Sequence, residues 1–141
     1  MKSIIVDIDG TLALMNGKRD PYDWSSVGLD DPNQPIIDLV KMFKHQLGYN
    51  VIIMSGRDGQ CLSLTRQWLN QYGVPYDRLL MRATKDFRKD SLIKKELYQN
   101  VLLADNPDLQ VDYVIDDRQQ VVDMWRDELG LTVLQVAKGD F

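Results

Sequence analysis

Two carboxylates, Asp7 and Asp9, stand at the mouth of an otherwise apolar segment in "MKSIIVDIDGTLA". Carboxylates held close together repel, and a cluster of them calls for a compensating charge. An oxygen-rich set with no histidine suits a hard divalent cation. A carboxylate can also attack phosphorus and carry it covalently, while a second one moves protons. The run from Ile4 to Ile8 reads as a short interior strand of a parallel sheet, broken by Gly10 and Thr11. Side chains two apart on a strand share a face, so Asp7 and Asp9 are expected to emerge together at its C-terminal end. That edge is where open α/β sheets bind ligands. The plainer reading is a strand end with solvated acids and a turn glycine.

Further residues are brought to that edge by the rest of the chain. Strand-like runs alternate with helical patterns throughout. "NVIIMSG", "DRLLMR", "VDYVIDD" and "TVLQVA" read as strands, and "QPIIDLVKMFKHQLG", "CLSLTRQWLNQYG", "KDSLIKKELYQNV" and "QQVVDMWRDELG" as helices. This alternation predicts crossover units, a five-stranded parallel sheet and helices on both faces. Only residues 12 to 34 lack clear periodicity, and they read as a loop beside the site. The second strand ends in Ser55 and Gly56, followed by Arg57. Lys89 lies near a helix start, and Asp116 and Asp117 close the fourth strand. Each has an ordinary structural explanation as a cap, turn or exposed helix residue. Together they form a phosphoryl-transfer constellation, in which Ser55 donates to a phosphoryl oxygen and Lys89 neutralises developing charge.

Bulk properties exclude several other classes. A chain of 141 residues is long enough for one core, so residues 1–141 read as a single domain. No run approaches a membrane span, and Asp7 interrupts the apolar start, arguing against a secretory signal. The single cysteine, Cys61, excludes an internal disulfide framework and fits a reducing cytoplasm. The one histidine, His45, falls near a helix end, which disfavours histidine-based metal or triad chemistry. A net charge of −4 argues against a broad duplex footprint, yet a few local cations still suffice to hold a nucleic acid end.

D-x-D-G-T after the first strand, S-G after the second, a lysine, and D-D after the fourth resemble the haloacid dehalogenase superfamily of phosphotransferases. The resemblance implies a Rossmannoid three-layer sandwich with Asp7 as nucleophile and Asp9 as general acid and base. It also implies Mg²⁺ held by Asp7, the Asp9 main-chain carbonyl and an aspartate of the 116–117 pair. An acid at position 9, where the superfamily's ATPases carry threonine, points to a phosphatase.

"DIDGTLALMNGKRDPYD", "IIMSGRDG", "TKDFRKD", "VIDDRQQVVDMWR" and "LQVAKGDF" are more specific. They resemble the 3′-phosphatase half of the bacteriophage polynucleotide kinase/3′-phosphatase family, along the chain from the first strand to Phe141. That resemblance implies removal of 3′-phosphates from DNA or RNA ends during repair, in the cytoplasm of the host cell where the gene is phage-borne. By it, Thr11, Gly56, Arg57, Asp86 and Arg88 line the substrate end, with Lys18 or Arg19 from "NGKRDPYD". That loop is one residue longer than the family's, which leaves both residues open, and the loop after Arg57 is shorter. No G-x-x-x-x-G-K-[ST] occurs, so the kinase half is absent and the chain reads as a free-standing phosphatase or an excised domain. Only residues 9 to 49 lie between the first two strands. A loop and one helix consume them, leaving no room for a large cap and an open edge suited to a polymer end. The alternatives are a phosphatase of mononucleotides or other small phosphomonoesters, and a non-catalytic receiver-like switch. The switch is disfavoured because its phospho-acceptor would follow the third strand, whereas "LLMR" ends in arginine. Neither a membrane partner nor a defined oligomeric state follows from the sequence.

Overall fold

A computed structural model describes residues 2–141. Its centre is a parallel sheet of five strands in the order β5-β4-β1-β6-β7, with β1 Lys2–Val6, β4 Asn50–Asp58, β5 Arg78–Arg82, β6 Gln110–Asp116 and β7 Val133–Gln135. The apolar runs predict this burial on both faces. Ile4 and Val6 of β1, with Val51 and Ile53 of β4, point to one side and pack on α1 (Gln34–Lys41) and α2 (Leu62–Gln71) through Ile37, Val40, Trp68 and Leu69. The intervening Ile5, Ile52 and Met54 face the other side. There they meet Leu102, which follows α3 (Asp90–Glu96), and Val121, Val122 and Trp125 around α5 (Gln119–Asp123). Period-two alternation thus divides one hydrophobic strand between two cores.

Pro35 in the first turn of α1 needs no intrahelical donor and presets the backbone for a helix. Helices α1, α3 and α5 each continue through a wider π-type turn, over Met42–Gln46, Leu97–Leu102 and Met124–Glu128. A short helical segment, α4 (Leu103–Asp105), completes the connection to β6. The sheet, its order and the flanking helices make this a haloacid dehalogenase-like Rossmannoid sandwich.

Two local expectations are corrected. β1 stops at Val6, so Asp7 and Asp9 do not share a strand face. Asp7 still extends the ladder through its N–H to the Ile115 carbonyl (2.9 Å). The chain then coils tightly, with the N–H groups of Thr11, Leu12 and Ala13 all converging on the Ile8 carbonyl. Residues 12 to 34 are not a bare loop. β2 (Ala13–Leu14) pairs antiparallel with β3 (Asp31–Pro32), and Trp24–Leu29 forms a 3₁₀ turn between them. Elements this short carry no periodicity by which a sequence could announce them. Among the described residues no helix is long and apolar enough to cross a membrane.

β4 is the central support of the site because it lies between β1 and β5 and is buried for most of its length. Replacing Ile53, fully buried in that strand, with alanine is expected to destabilise the domain by about 2–5 kcal/mol. Urea denaturation read by circular dichroism measures the loss.

Candidate active site

The C-terminal ends of β1, β4 and β6 meet around a cleft of about 320 Å³ that is lined in part by Asp7, Asp9, Asp116 and Asp117. Asp7, Asp116 and Asp117 are buried, and one carboxylate oxygen from each lies within 4.8 Å of the other two. One cation enters this cluster directly. Lys94, on the inner face of α3, is buried and donates to Asp7 Oδ1 at 2.8 Å and Asp116 Oδ2 at 3.0 Å. Thr11 donates to Asp7 Oδ2 at 3.0 Å. Asp116 Oδ1 accepts the Asp117 N–H at 2.9 Å. Burial pushes the Asp7 carboxyl well above the usual range, the neighbouring Asp116 charge adds to the rise, and Lys94 draws it back. Burial would lower the Lys94 ammonium, but Asp116 and Asp7 outweigh it and hold the lysine well above its ordinary value.

Three carboxylates against one ammonium leave an excess of negative charge on oxygen donors. That donor set fits a hard divalent cation.

A second charge network holds Asp9. Arg57 grips it through Nη2 (2.8 Å) and Nε (3.1 Å), and Arg19 reaches the same Oδ1 through Nη2 at 3.3 Å. Both arginines are also tied to buried Asp30, by Arg19 Nε (2.8 Å), Arg19 Nη2 (3.0 Å) and Arg57 Nη2 (2.8 Å), so each Nη2 bridges Asp9 and Asp30. Arg57 Nη1 also donates to Thr65, and the Trp68 indole N–H donates to the Asp30 carbonyl. Two arginines and two aspartates alternate, so the network is electrically balanced and its forked geometry fixes the Asp9 carboxylate.

Local backbone devices make room for these side chains. Gly10 has φ +81°, a conformation glycine adopts without strain, and a Cβ there would lie 2.1 Å from Asp117 Oδ2. A Cβ on Gly56 would lie 1.9 Å from Asp90 Oδ1. Between Ser55 and Asp58 the register of β4 against β5 shifts, a bulge that re-aims the strand end beside the cleft. Arg82 donates to the Gly56 carbonyl at 2.8 Å and lies 3.4 Å from Asp90.

Comparison with known proteins now bears on this arrangement. The family described as "Polynucleotide kinase PNKP phosphatase domain" matches residues 1–141, the whole chain. The chain belongs to that family. Among curated relatives, a "Putative bifunctional polynucleotide kinase/RNA ligase" of Autographa californica nuclear polyhedrosis virus is 33% identical over 139 residues, 97% of this chain but 20% of the relative. This relative is viral, though from a baculovirus rather than a bacteriophage. Two solved structures are 48% identical with a TM-score of 0.92 and cover 99% of this chain. They are a Pnkp1/Rnl/Hen1 complex, of which the chain matched is 47% covered, and a Pnkp1/Rnl/Hen1 RNA repair complex, with 43% covered. The PNKP-type phosphatase domain thus spans a fifth of the curated relative and less than half of either structural one.

Within this PNKP-type domain, the residues singled out from sequence separate into three groups. Asp7, Asp9, Gly56, Arg57, Asp116 and Asp117 line the cleft, and Thr11 and Arg19 bond to its aspartates. Ser55 is buried at the end of β4, where its hydroxyl accepts the Arg57 N–H at 3.1 Å; it stands behind Gly56 rather than on the cleft wall. The remaining residues lie apart. Lys18 is exposed and pairs with Asp31 at 2.6 Å, so of the two candidates in the loop only Arg19 reaches the site. Arg88 is exposed and engaged by Asp86 and Glu96, and Asp86 is held by Arg88 to about 2 in pKa. These two line a neighbouring depression instead.

Lys89 requires a correction. It is exposed at the N-cap of α3, outside the helix face that turns inward. Lys94, five residues on, lies on that face beside Ile93 and is the lysine in contact with the cluster. Its signal in the sequence was the pair Asp90 and Lys94 at helical spacing next to apolar Ile93, obscured by the adjacent Lys95 that suggests a solvated face. Asp30, Asp90 and Arg118, which also reach the site or its supports, carry no motif of their own.

The two lysines are expected to differ sharply. Lys94→Met strands two buried carboxylates and should cost about 3–5 kcal/mol of stability, with hydrolysis of a small aryl phosphate falling at least about a hundredfold. Lys89→Met should have a much smaller effect on both. Thermal melts and steady-state rates of the two variants measured side by side test the assignment, and equal losses would overturn it.

Proposed function

We propose that this phosphatase domain is a Mg²⁺-dependent polynucleotide 3′-phosphatase that clears 3′-phosphates from DNA or RNA ends for repair. The observation that carries the reading is the buried Asp7–Lys94–Asp116–Asp117 cluster at the strand edge of a fold matched along its whole length by the PNKP phosphatase family. The RNA repair complex among its structural relatives supports a nucleic acid end as substrate. Residues 1–141 act as one domain in this reading, in the reducing cytoplasm where buried Cys61 remains a thiol.

The chemistry follows from where the groups lie. Asp7 attacks phosphorus, forming a new P–O bond as the bond to the 3′ oxygen breaks and its electron pair leaves on that oxygen. Asp9, partly exposed at the cleft, takes up a proton from solvent and passes it to the leaving oxygen, then takes one from the water that cleaves the aspartyl-phosphate and frees Asp7. Arg57 and Arg19, locked on Asp30, keep Asp9 at a fixed orientation. Lys94 offsets charge on Asp7 and the phosphoryl group, and the Ser55 hydroxyl, accepting the Arg57 N–H, holds the β4 end that carries Arg57. Asp7, Asp116, Asp117 and the Asp9 main-chain carbonyl would hold the Mg²⁺, which supplies charge neutralisation for the phosphoryl oxygens.

Phosphate release from a 3′-phosphorylated oligonucleotide, beside a 5′-phosphorylated one and a 3′-mononucleotide, tests this function. The 3′ oligonucleotide should be turned over and the 5′ one largely ignored. Comparable or better turnover of the mononucleotide would favour a small-phosphomonoester phosphatase instead. Chelation should abolish turnover and Mg²⁺ restore it; undiminished rates in excess chelator would exclude the proposed metal dependence.

The two leading aspartates should fail in different ways. Asp7→Asn is expected to form no phosphoenzyme. Asp9→Asn should slow turnover by about two to four orders of magnitude, with part of the first step recovered on a substrate whose leaving group needs little protonation. Acid-quench trapping of labelled phosphate distinguishes them, and label on Asp7→Asn would refute the nucleophile.

A further inference from the structure

Beside the catalytic cleft lies a second depression, of about 200 Å³, that shares Trp24, Arg82, Asp90 and Arg118 with it. Its other lining residues include the two most exposed large hydrophobic side chains among the described residues, Phe87 at 89% and Tyr22 at 80%. They come from different connections: Tyr22 precedes the 3₁₀ turn between β2 and β3, and Phe87 lies between β5 and α3. Tyr22 meets Trp24 edge to face, with ring centroids 6.1 Å apart and planes at 85°. That contact braces the pair while leaving most of Tyr22 in solvent. Phe87 takes part in no aromatic contact among the described residues. Neither exposed ring contributes to either hydrophobic core.

Charge around the depression favours an anion despite the acidic chain. Its acids are already engaged: Asp86 with Arg88, Asp90 with Arg82 and Arg118, and Asp58 with the N–H groups of Gln60 and Lys85. Lys89, on its lining, and Lys85, in the same connection, make no ion pair among the described residues. A concave surface with exposed aromatic rings and unpaired lysines, continuous with a phosphoryl-transfer cleft, has the composition of a single-strand binding groove. Rings stack on bases irrespective of sequence, and cations follow the backbone.

We infer that this depression receives the last nucleotides of a single-stranded 3′ end, with bases stacked on Phe87 and Tyr22 and the backbone phosphate beside Lys89 and Arg118. The inference rests on the polynucleotide 3′-phosphatase reading and adds to it where the chain upstream of the scissile phosphate lies. Stacking discriminates a polymer from an isolated phosphomonoester without reading its sequence. The groove therefore determines substrate length rather than base identity.

The test is steady-state kinetics on a 3′-phosphorylated tetranucleotide, on the same molecule with abasic residues at its last two positions, and on p-nitrophenyl phosphate. Phe87→Ala and Tyr22→Ala are expected to raise KM for the tetranucleotide about tenfold each, the loss of one base–aromatic stack, while kcat stays within about twofold. Hydrolysis of p-nitrophenyl phosphate should not change. Phe87→Tyr should restore the tetranucleotide KM, and the abasic substrate, which loses both stacks, should raise the KM of the parent enzyme about a hundredfold. Phe87 is almost wholly in solvent, so its removal takes no packing from the core. Unchanged KM values for both alanine variants would overturn the inference and leave the aromatic rim to a protein partner. A parent enzyme that hydrolyses p-nitrophenyl phosphate but not the tetranucleotide would instead overturn the polynucleotide reading itself.

Discussion

Lys94 is the cation that, among the described residues, enters the negative cluster from inside the protein, and the rest of the site is arranged around what it can and cannot neutralise. Its ammonium sits between Asp7 and Asp116, strand-end carboxylates drawn from β1 and β6. Those strands are hydrogen-bonded neighbours in the sheet, so the fold itself forces the like charges together. Without the lysine, burial and mutual repulsion would drive the acids towards their neutral forms, in which they are poor nucleophiles and poor ligands. Because α3 buries both Ile93 and Lys94 and lies against β4, the docking of the helix also sets the position of the charge.

The Asp9 network solves a different problem. It uses as many arginines as aspartates and buries all but Asp9, which keeps partial exposure at the cleft. Asp30 is the structural partner in it: fully buried, anchored through its carbonyl to the Trp68 indole and through its carboxylate to two guanidinium groups. The residue is thereby coupled to the hydrophobic core on the α1/α2 side. Asp7 and Asp9, two residues apart in sequence, thus belong to charge groups that differ in function: one carries surplus negative charge, and the other is neutral and serves orientation.

What could be read from sequence follows the range of the forces involved. Period-two and period-3.6 patterns are local, so the five strands and the main helices were legible within a few residues of their ends. The leading aspartates and the Asp116–Asp117 pair were legible because strand ends are placed by that same pattern. Lys94 was missed in favour of Lys89 because both lie in one basic, polar stretch, and only the docking of α3 against β4 decides which lysine turns inward. Asp30 was invisible for a related reason. Its partners Arg19, Arg57 and Trp68 are not its sequence neighbours, and an acid in the run "LDDPN" resembles any capped turn. The β2–β3 pair escaped because two-residue strands have no period.

Gly10 and Gly56 carry no chemistry, yet each occupies a point where a carboxylate oxygen comes closer than any methyl group permits. Asp117 and Asp90, on the cleft wall, are consequently positioned against empty volume as much as against donors. In the drift of sequences over time, such vacancies behave unlike core positions, where a lost methylene can be absorbed by partial collapse. Here a single added carbon displaces Asp117 or Asp90 while leaving every charge, hydrogen-bonding group and strand in place. The fold can therefore outlive the site, so a homologue with all its aspartates intact but alanine at either glycine would be a preserved scaffold with Asp117 or Asp90 out of register.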